Sequence, residues 1–346
     1  MADLPIVTLV TPSYNQAQFL EETILSVLNQ DYPNLEYIII DGGSADGSVD
    51  IIRKYESRLA YWVSEPDLGQ SHAVNKGFLW AEGDILAWVN SDDLLCPGAV
   101  RAAADFLGSH PDVSVVYGGA NIIDEGGQVM LPMEQEDFDL ARCLVRLVTP
   151  IPNPSAFFRR ETSQKIGLLD EKLHYYMDFE YWIRVAMAGL QISRIPETLA
   201  QIRVHHDAKT VGHIPRPNEE LLAWLDRFFS RPLPPEIASL QRQSKSRALL
   251  ELGLKSFYVH QFSEGRRAIF KGLGISPRTL VNNLLFLLPI IAVLPNPAIR
   301  LAIQIKERLF PSPNQRARDS RREADTRDRR ESHRVSGASS QAPDGT

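Results

Sequence analysis

Ile85-Leu-Ala-Trp-Val-Asn-Ser-Asp-Asp93 joins a continuous apolar run directly to a cluster of polar side chains. Such a run is typical of a strand that is buried on both faces of a parallel sheet. The runs at residues 6–10 and 35–40 share this pattern, and helical spacings of apolar residues separate the three. The resulting β-α-β-α order predicts an α/β fold with a mostly parallel, doubly wound sheet.

A polar cluster follows each of these strands, at residues 11–15, 41–47 and 90–93. Ligands of doubly wound sheets bind at the carboxyl ends of the strands, so we expect the three clusters to meet at one edge. In the third cluster, the adjacent carboxylates of Asp92 and Asp93 favour a divalent cation, because Mg²⁺ and Mn²⁺ prefer oxygen ligands. The alternative is an N-cap for a helix that begins near residue 97, but both acids lie too early in the chain for it.

The first two clusters carry side chains that suit a flat, hydrogen-bonding ligand. Tyr14 can stack on a ring, although Pro-Ser-Tyr-Asn is also ordinary turn sequence. Asp41 ends a strand and precedes two glycines, which let a ligand approach the backbone closely. Its carboxylate can accept a hydrogen bond from a base N–H. The same region also favours helix capping around Ser44 and Asp46, and the two interpretations are compatible.

Composition excludes several classes of protein. The net charge of −6 over 346 residues argues against a nucleic-acid-binding protein, which usually has a basic face, but it does not exclude a nucleotide ligand. Cys96 and Cys143 form no C-x-x-C pair, which argues against structural zinc and favours a reducing compartment. Residues 6–10 are too short for the apolar core of a signal peptide, so we expect the catalytic part to stay in the cytoplasm.

The C-terminal third has a different pattern. Residues 213–310 are predicted to form a helical extension, in which residues 248–277 favour a packed helical hairpin over a tetratricopeptide repeat. The apolar segment 280–309 has an uninterrupted run of only eleven residues, 284–294, and is interrupted elsewhere by prolines and polar residues. It predicts either a peripheral membrane or partner contact, or a helix packed on the preceding ones. Residues 311–346 lack aromatic side chains and predict a disordered tail.

Five motifs occur in order along the first half of the chain: V-T-P-S-Y-N, I-I-I-D-G-G-S-x-D-G-S, S-E-P-D-x-G-Q, A-x-N-K-G and W-x-N-S-D-D. Over about residues 5–210, their order and spacing resemble family 2 glycosyltransferases with the GT-A fold. The resemblance implies a catalytic domain at 1–212, with a nucleotide-sugar half at about 1–120 and an acceptor half at about 121–212. It also implies a nucleoside-diphosphate-sugar donor, with a UDP-sugar favoured, and a glycan or lipid-linked acceptor.

The resemblance also carries roles to individual residues. It implies nucleotide-sugar contacts at Pro12, Tyr14, Asp41, Gln70, Asn75, Lys76, Asn90 and Asp93. The D-x-D-type motif begins here with Asn90 instead of aspartate, which leaves Asp92 as the expected ligand of a divalent metal, Mn²⁺ or Mg²⁺. Arg203-Val-His205 begins a segment similar to the family's R-x-H-x-x-S-K-T, so His205 is expected to complete the metal site, with His206 as its competitor.

Asp178 is the expected catalytic base. The segment Met177-Asp178-Phe-Glu-Tyr-Trp-Ile-Arg184 resembles the start of the family's catalytic helix, although Met177 replaces the usual first acid. Glu180 is the fallback. An aspartate at a helix N-terminus is also what capping alone produces.

The activity that the resemblance implies is inverting sugar transfer in cell-envelope polysaccharide or cell-surface glycan synthesis, in the cytoplasm or at the inner face of the membrane. Two other functions stay open. Asn90 and Met177 permit a catalytically silent nucleotide-sugar-binding module. A sugar-nucleotide nucleotidyltransferase fits less well, because the loop Pro12-Ser-Tyr-Asn15 has neither the glycine nor the arginine that would hold a triphosphate.

Overall fold

The computed structural model describes residues 4–133, 135–205, 208 and 216–276. Several predictions therefore concern residues outside the described ones, namely His206, the apolar segment 280–309 and the tail 311–346.

The described strands form one sheet. Four of them pair in parallel in the order β3-β2-β1-β4 and are β1 (Val7–Ser13), β2 (Leu35–Asp41), β3 (Tyr61–Ser64) and β4 (Ile85–Trp88). The others are β5 (Leu94–Leu95), β6 (Val113–Ile123), β7 (Val129–Pro132), β8 (Ala156–Arg159) and β9 (Gln191–Arg203). Antiparallel β8 joins β4 to β6, β9 runs parallel to β6, and β5 and β7 pair antiparallel with β9 and β6. The second half of the sheet is thus mixed.

Helices lie on both faces of this sheet. In chain order they are α1 (Ala17–Leu28), α2 (Ser48–Tyr55), α3 (Gln70–Trp80), α4 (Ala99–Ser109), α5 (Leu140–Arg146), α6 (Arg160–Ile166), α7 (Met177–Met187), α8 (Arg216–Phe229), α9 (Pro235–Ala238), α10 (Gln241–Tyr258) and α11 (Phe262–Ile275). The helix expected near residue 97 begins at Ala99, because Gly98 takes the N-cap position in the left-handed conformation.

Two apolar layers cover the two faces of the sheet. Along β2, Ile38 and Ile40 join the layer that contains residues of α3, α7 and α8, whereas Tyr37 and Ile39 join the layer that contains residues of α1 and α4. Alternate residues of a strand point to opposite faces, so a strand that is apolar at every position is buried on both. This arrangement confirms the predicted α/β doubly wound fold.

A tryptophan pair holds α7 against the sheet. The rings of Trp88, at the end of β4, and Trp182, in α7, stack with centroids 5.6 Å apart and planes 14° apart. Both side chains are fully buried. Asp178 precedes Trp182 by one helical turn, so the first turn of α7 is fixed relative to the strand that leads into residues 90–93.

The described part of the helical extension packs onto this domain and onto itself. Trp224 and Phe228 of α8 lie in the same apolar core as Phe179 of α7. Helices α10 and α11 cross closely at Gly253 and Gly265, where a Cβ on Gly253 would lie 2.8 Å from the carbonyl oxygen of Gly265. Among the described helices, none combines the length and apolarity that a bilayer crossing requires.

Candidate active site

A cleft of about 890 Å³ opens at the carboxyl ends of the parallel strands. The three polar clusters, at residues 11–15, 41–47 and 90–93, lie at the carboxyl ends of β1, β2 and β4, and all contribute to it. Its lining residues are Pro12, Ser13, Tyr14, Gln16, Gly42, Pro66, Asp67, Gly69, Gln70, Ala73, Asn90, Ser91, Asp92, His174, Tyr175 and Glu220. The three clusters therefore meet in one cleft, as predicted. Residues 174–175 and Glu220 of α8 form a further wall of the cleft.

Asp41 lies behind the cleft and organises a turn. Its side chain is fully buried. One oxygen, Oδ2, accepts the N–H groups of Gly43 and Ser44 at 3.1 and 2.8 Å and the hydroxyl of Ser64 at 2.6 Å. The other oxygen accepts the Ser44 hydroxyl at 2.6 Å. Gly43 has a φ of +83°, a conformation that favours glycine and that turns these N–H groups toward the carboxylate.

Asp67 brings a carboxylate to the cleft beside Gly42. Its Oδ1 accepts the N–H of Gly69 at 2.7 Å. Its Oδ2 lies 2.8 Å from the place that a Cβ would occupy on Gly42, and the Tyr14 ring lies 3.2 Å from the same place. The missing side chain of Gly42 thus makes the room that the carboxylate and the aromatic ring share. Tyr14 is 62% exposed, so a face of its ring is open to a ligand.

Ser13 adds an unused polar group to the same wall. Its side chain is 3% exposed and lines the cleft, yet its hydroxyl has no hydrogen-bond partner among the described residues. Buried hydroxyls are normally paired, so this one is suited to a polar ligand in the cleft.

Asn90 connects the cleft to the buried Asp93. The Gln70 amide donates to Asn90 Oδ1 at 2.6 Å, and Asn90 Nδ2 donates to Asp93 Oδ2 at 3.0 Å. Burial, and then the neighbouring charge of Asp92, raise the pKa of Asp93 well above its usual range. Asp93 is 4% exposed and lies behind the cluster, while Asn90 and Asp92 line the cleft.

Asp92 and His205 lie together although 113 residues separate them. His205 Nε2 is 3.0 Å from Asp92 Oδ2, and the Phe19 ring lies against the imidazole with centroids 4.7 Å apart. The imidazole is buried, whereas the Asp92 side chain keeps 20% of its surface exposed to the cleft. Across the described residues, no group of three or more His, Cys, Asp and Glu side chains is arranged to hold a metal.

Arg203 fixes both partners of this pair. Its guanidinium is fully buried and pairs with Glu22 at 2.6 Å. Its Nε donates to the carbonyl oxygen of Asp92 at 3.0 Å, and its backbone N–H donates to Asp93 Oδ1 at 3.1 Å. Because His205 follows two residues later, one arginine sets the position of the acidic cluster and of the histidine.

Residues 174–176 form the wall of the cleft that leads into α7. Glu220 of α8 accepts the N–H groups of His174, Tyr175 and Tyr176 at 2.8 to 2.9 Å. Asp178 follows in the first turn of α7, partly buried, and its Oδ1 accepts the N–H of Phe179 at 2.7 Å.

Comparison with known sequences identifies the family of the chain. A sequence model of Glycosyl transferase family 2 matches residues 8–167. An uncharacterized glycosyltransferase of Mycobacterium tuberculosis is 33% identical over 190 residues, which cover 54% of this chain and 71% of that protein. The chain belongs to glycosyl transferase family 2. Another uncharacterized glycosyltransferase, of Rickettsia typhi, is 29% identical over 243 residues, 66% of this chain and 72% of that protein.

Solved structures share the fold of this family 2 chain. S. aureus TarS 1–349 in complex with UDP-GlcNAc has a TM-score of 0.59 at 18% identity, and the match covers 86% of this chain and 87% of that one. A mannosyltransferase from Pyrobaculum calidifontis in complex with GDP-Man and Mn²⁺ has a TM-score of 0.56 at 20% identity, with 90% and 82% covered. The predicted GT-A fold is thereby confirmed.

The predicted site residues of this glycosyltransferase divide into two sets. Those that line the cleft are Pro12, Tyr14, Gln70, Asn90 and Asp92. Those outside its lining are Asp41, Asn75, Lys76, Asp93, Asp178 and His205. The Asn75 amide holds the backbone of Leu169 through two bonds of 2.9 and 3.0 Å, and Lys76 pairs with Glu65. The roles predicted for both sets stay predictions.

Among the residues without a predicted role, Asp67, Arg203 and Glu220 do most to organise the site. Asp67 and Arg203 lie inside the motifs S-E-P-D-x-G-Q and R-x-H, so their motif positions are the signal that could have found them. Glu220 lies outside every motif, and its partners are 44 to 46 residues away. Only the tertiary structure reveals it.

Proposed function

We propose that the chain is an inverting glycosyltransferase that moves a sugar from a nucleoside-diphosphate-sugar to an acceptor hydroxyl. The observation that carries the proposal is the composition of the cleft. An exposed ring, Tyr14, and a carboxylate, Asp67, line one part of it, and Asp92, which contacts the buried His205, lines it beyond the end of β4. This combination suits a ligand with a flat base and a diphosphate.

The donor class has further support from the neighbours in fold. TarS was solved with UDP-GlcNAc and the mannosyltransferase with GDP-Man. Both ligands consist of a base, a diphosphate and a sugar. We favour a UDP-sugar for this chain, as the resemblance of its motifs implies.

We further propose that Asp67 accepts the hydrogen bond from the base, in place of the predicted Asp41. Asp41 already receives four hydrogen bonds from the protein and has no exposed surface. Asp67 lines the cleft beside the Tyr14 ring. A carboxylate can accept from the N3–H of uracil or from an equivalent donor of another base.

Asp92 and His205 would hold a divalent metal, and the diphosphate and water would supply its other ligands. One carboxylate oxygen and one imidazole nitrogen, 3.0 Å apart, are suitable donors for Mn²⁺, and Mg²⁺ also binds through one or two carboxylates and substrate phosphates. Such a metal would neutralise the charge that develops on the leaving diphosphate.

Asp178 is proposed to act as the general base. As the acceptor oxygen bonds to the anomeric carbon, the bond from that carbon to the diphosphate oxygen breaks, and the acceptor proton passes to the Asp178 carboxylate. This single displacement inverts the anomeric configuration and needs no covalent enzyme intermediate. Efficient transfer requires the carboxylate within hydrogen-bond reach of the hydroxyl.

The proposed setting is synthesis of cell-envelope polysaccharide or cell-surface glycan, with a glycan or lipid-linked acceptor, in the cytoplasm. The reducing compartment is proposed because the two cysteines, Cys96 and Cys143, offer no disulfide framework. A peripheral membrane contact through 280–309 stays a prediction.

A panel of nucleotide-sugars, assayed for release of nucleoside diphosphate with Mn²⁺ or Mg²⁺, tests the proposal. We expect turnover of at least one donor and a loss of about 100-fold or more in Asp178→Asn, with nucleotide binding retained. Full activity of Asp178→Asn would refute the base assignment. A wild-type chain that binds nucleotide-sugars but turns over none with any acceptor would be the silent binding module instead.

A further inference from the structure

Glu220 connects the C-terminal helices to the wall of the cleft. It lies in α8, outside the residues 8–167 that the family model matches. Its Oε2 accepts the N–H of His174 at 2.8 Å, and its Oε1 accepts those of Tyr175 and Tyr176 at 2.8 and 2.9 Å. A single carboxylate therefore binds three consecutive backbone donors directly before α7.

These donors need a partner from outside the helix. The N-cap of α7 is Tyr176, whose side chain makes no capping hydrogen bond. A capping side chain at that position would accept the N–H of residue 178 or 179, so the N–H groups of residues 174–176 would still need another acceptor. Negative charge near a helix N-terminus is stabilising, because the N–H groups there have no intrahelical acceptor. Glu220 brings this charge from an element far along the chain.

Packing keeps Glu220 in place. Trp224, one turn further along α8, meets the ring of Phe179 in α7 edge to face, with centroids 5.3 Å apart. Residues four apart lie on the same side of a helix. Leu221 and Leu225 are fully buried in the same core. The apolar contacts and the three hydrogen bonds therefore attach α8 to one place, the start of α7.

We propose that Glu220 is a positioning residue for sugar transfer. It holds His174 and Tyr175 in the cleft wall, and it holds the first turn of α7 with Asp178. The inference rests on the proposed function, in which Asp178 takes the acceptor proton. Movement of residues 174–176 would change the cleft wall and displace the base together, and a displacement of about 1 Å can cost about 100-fold in rate.

Two measurements on the full chain test this role. In Glu220→Ala, we expect the backbone amides of residues 174–176 to exchange with solvent at least about 10-fold faster, since their acceptor is gone. We expect kcat for the nucleotide-sugar to fall by about 10- to 100-fold, while KM changes less than about threefold. Glu220→Gln keeps one acceptor oxygen, so both effects should be smaller. If Glu220→Ala does not fold, Glu220→Gln takes its place in both measurements.

Glu219→Ala is the matched control, because Glu219 is the exposed neighbour on the same helix. It should leave exchange and kcat unchanged. Unchanged protection of residues 174–176 in Glu220→Ala would overturn the contact, and faster exchange with an unchanged kcat would overturn the positioning role. If the wild-type chain turns over no nucleotide-sugar, the proposed function fails and the catalytic role of Glu220 fails with it. The exchange data then still decide whether Glu220 holds the wall.

Discussion

The substitution Asp67→Asn tests which of two carboxylates, Asp67 or Asp41, accepts the hydrogen bond from the base. The amide oxygen can still accept the N–H of Gly69, which Asp67 Oδ1 accepts at 2.7 Å, so the local turn should persist. The other atom changes from an acceptor to a donor, beside Gly42 and Tyr14. A hydrogen bond to a charged group contributes about 1.5–3 kcal/mol, so we expect the Kd for the nucleotide to rise about 10- to 100-fold. The free energy of unfolding should change by less than about 1 kcal/mol.

Asp41→Asn makes the same chemical change in the buried carboxylate. Asp41 receives two backbone N–H groups and two hydroxyls, and an amide cannot accept all four as strongly. Replacing charged acceptors by neutral ones in such a network should lower the free energy of unfolding by about 1–4 kcal/mol. Since Asp41 does not line the cleft, the Kd of the folded variant should stay within about threefold of wild type.

Calorimetric titration with UDP and with GDP, together with urea unfolding, measures both quantities on both variants. A nucleotide that binds the wild-type chain is the reference. If Asp41→Asn weakens binding while Asp67→Asn leaves it unchanged, the base contact belongs to Asp41, as the motif resemblance implies, and the proposed role of Asp67 is wrong.

Other predictions concern the metal and the packing of the sheet. Chelation of divalent cations should abolish turnover, and full activity in chelator would refute the metal site. Asp92→Ala should lower turnover by at least about 100-fold even in excess Mn²⁺. His205→Ala should raise the Mn²⁺ concentration that gives the half-maximal rate. Gly77→Ala should lower the free energy of unfolding by about 1–3 kcal/mol, because its Cβ would lie 2.4 Å from a methyl group of Val10. Gly108→Ala, the control in α4 with no described atom within 4 Å, should be neutral or stabilising by up to about 1 kcal/mol, and urea unfolding compares the two.

The parallel half of the sheet could be predicted from the sequence because its signal is local. The runs at 6–10, 35–40 and 85–89 are apolar at nearly every position, and they became β1, β2 and β4. A short run that is apolar at nearly every position is typical of a strand that is buried on both faces of a parallel sheet.

The second half could not be predicted in the same way. The strand β9, Gln191–Arg203, contains Pro196 and several polar side chains and has no continuous apolar run. It forms because its backbone pairs with β6 over most of its length, with register shifts near Tyr117 and Gly119. Such pairing depends on residues far apart in the chain, and strand propensity alone is a weak guide to it.

In the site, the sequence predicted which polar clusters meet but not which atoms face the cleft. Asp41 and Asp67 are both carboxylates near the ends of neighbouring strands, and each has a glycine within the next two residues. What distinguishes them is the hydroxyl of Ser64, which reaches Asp41 only because β3 lies beside β2 in a register that pairs these two residues. Four donors turn the Asp41 carboxylate inward, whereas Asp67 accepts the N–H of Gly69 and lines the cleft.

The sequence leaves two roles open for Asp178, a helix cap and a general base. An aspartate at the start of a helix can be a cap or a base, and here its Oδ1 does accept the N–H of Phe179. The three donors directly before the helix, however, are bound by Glu220. In Asp178→Asn the amide oxygen can still accept the Phe179 N–H, so a capping role survives the substitution, while an amide cannot take a proton from an acceptor hydroxyl. Stability that stays near wild type together with lost turnover therefore identifies a base.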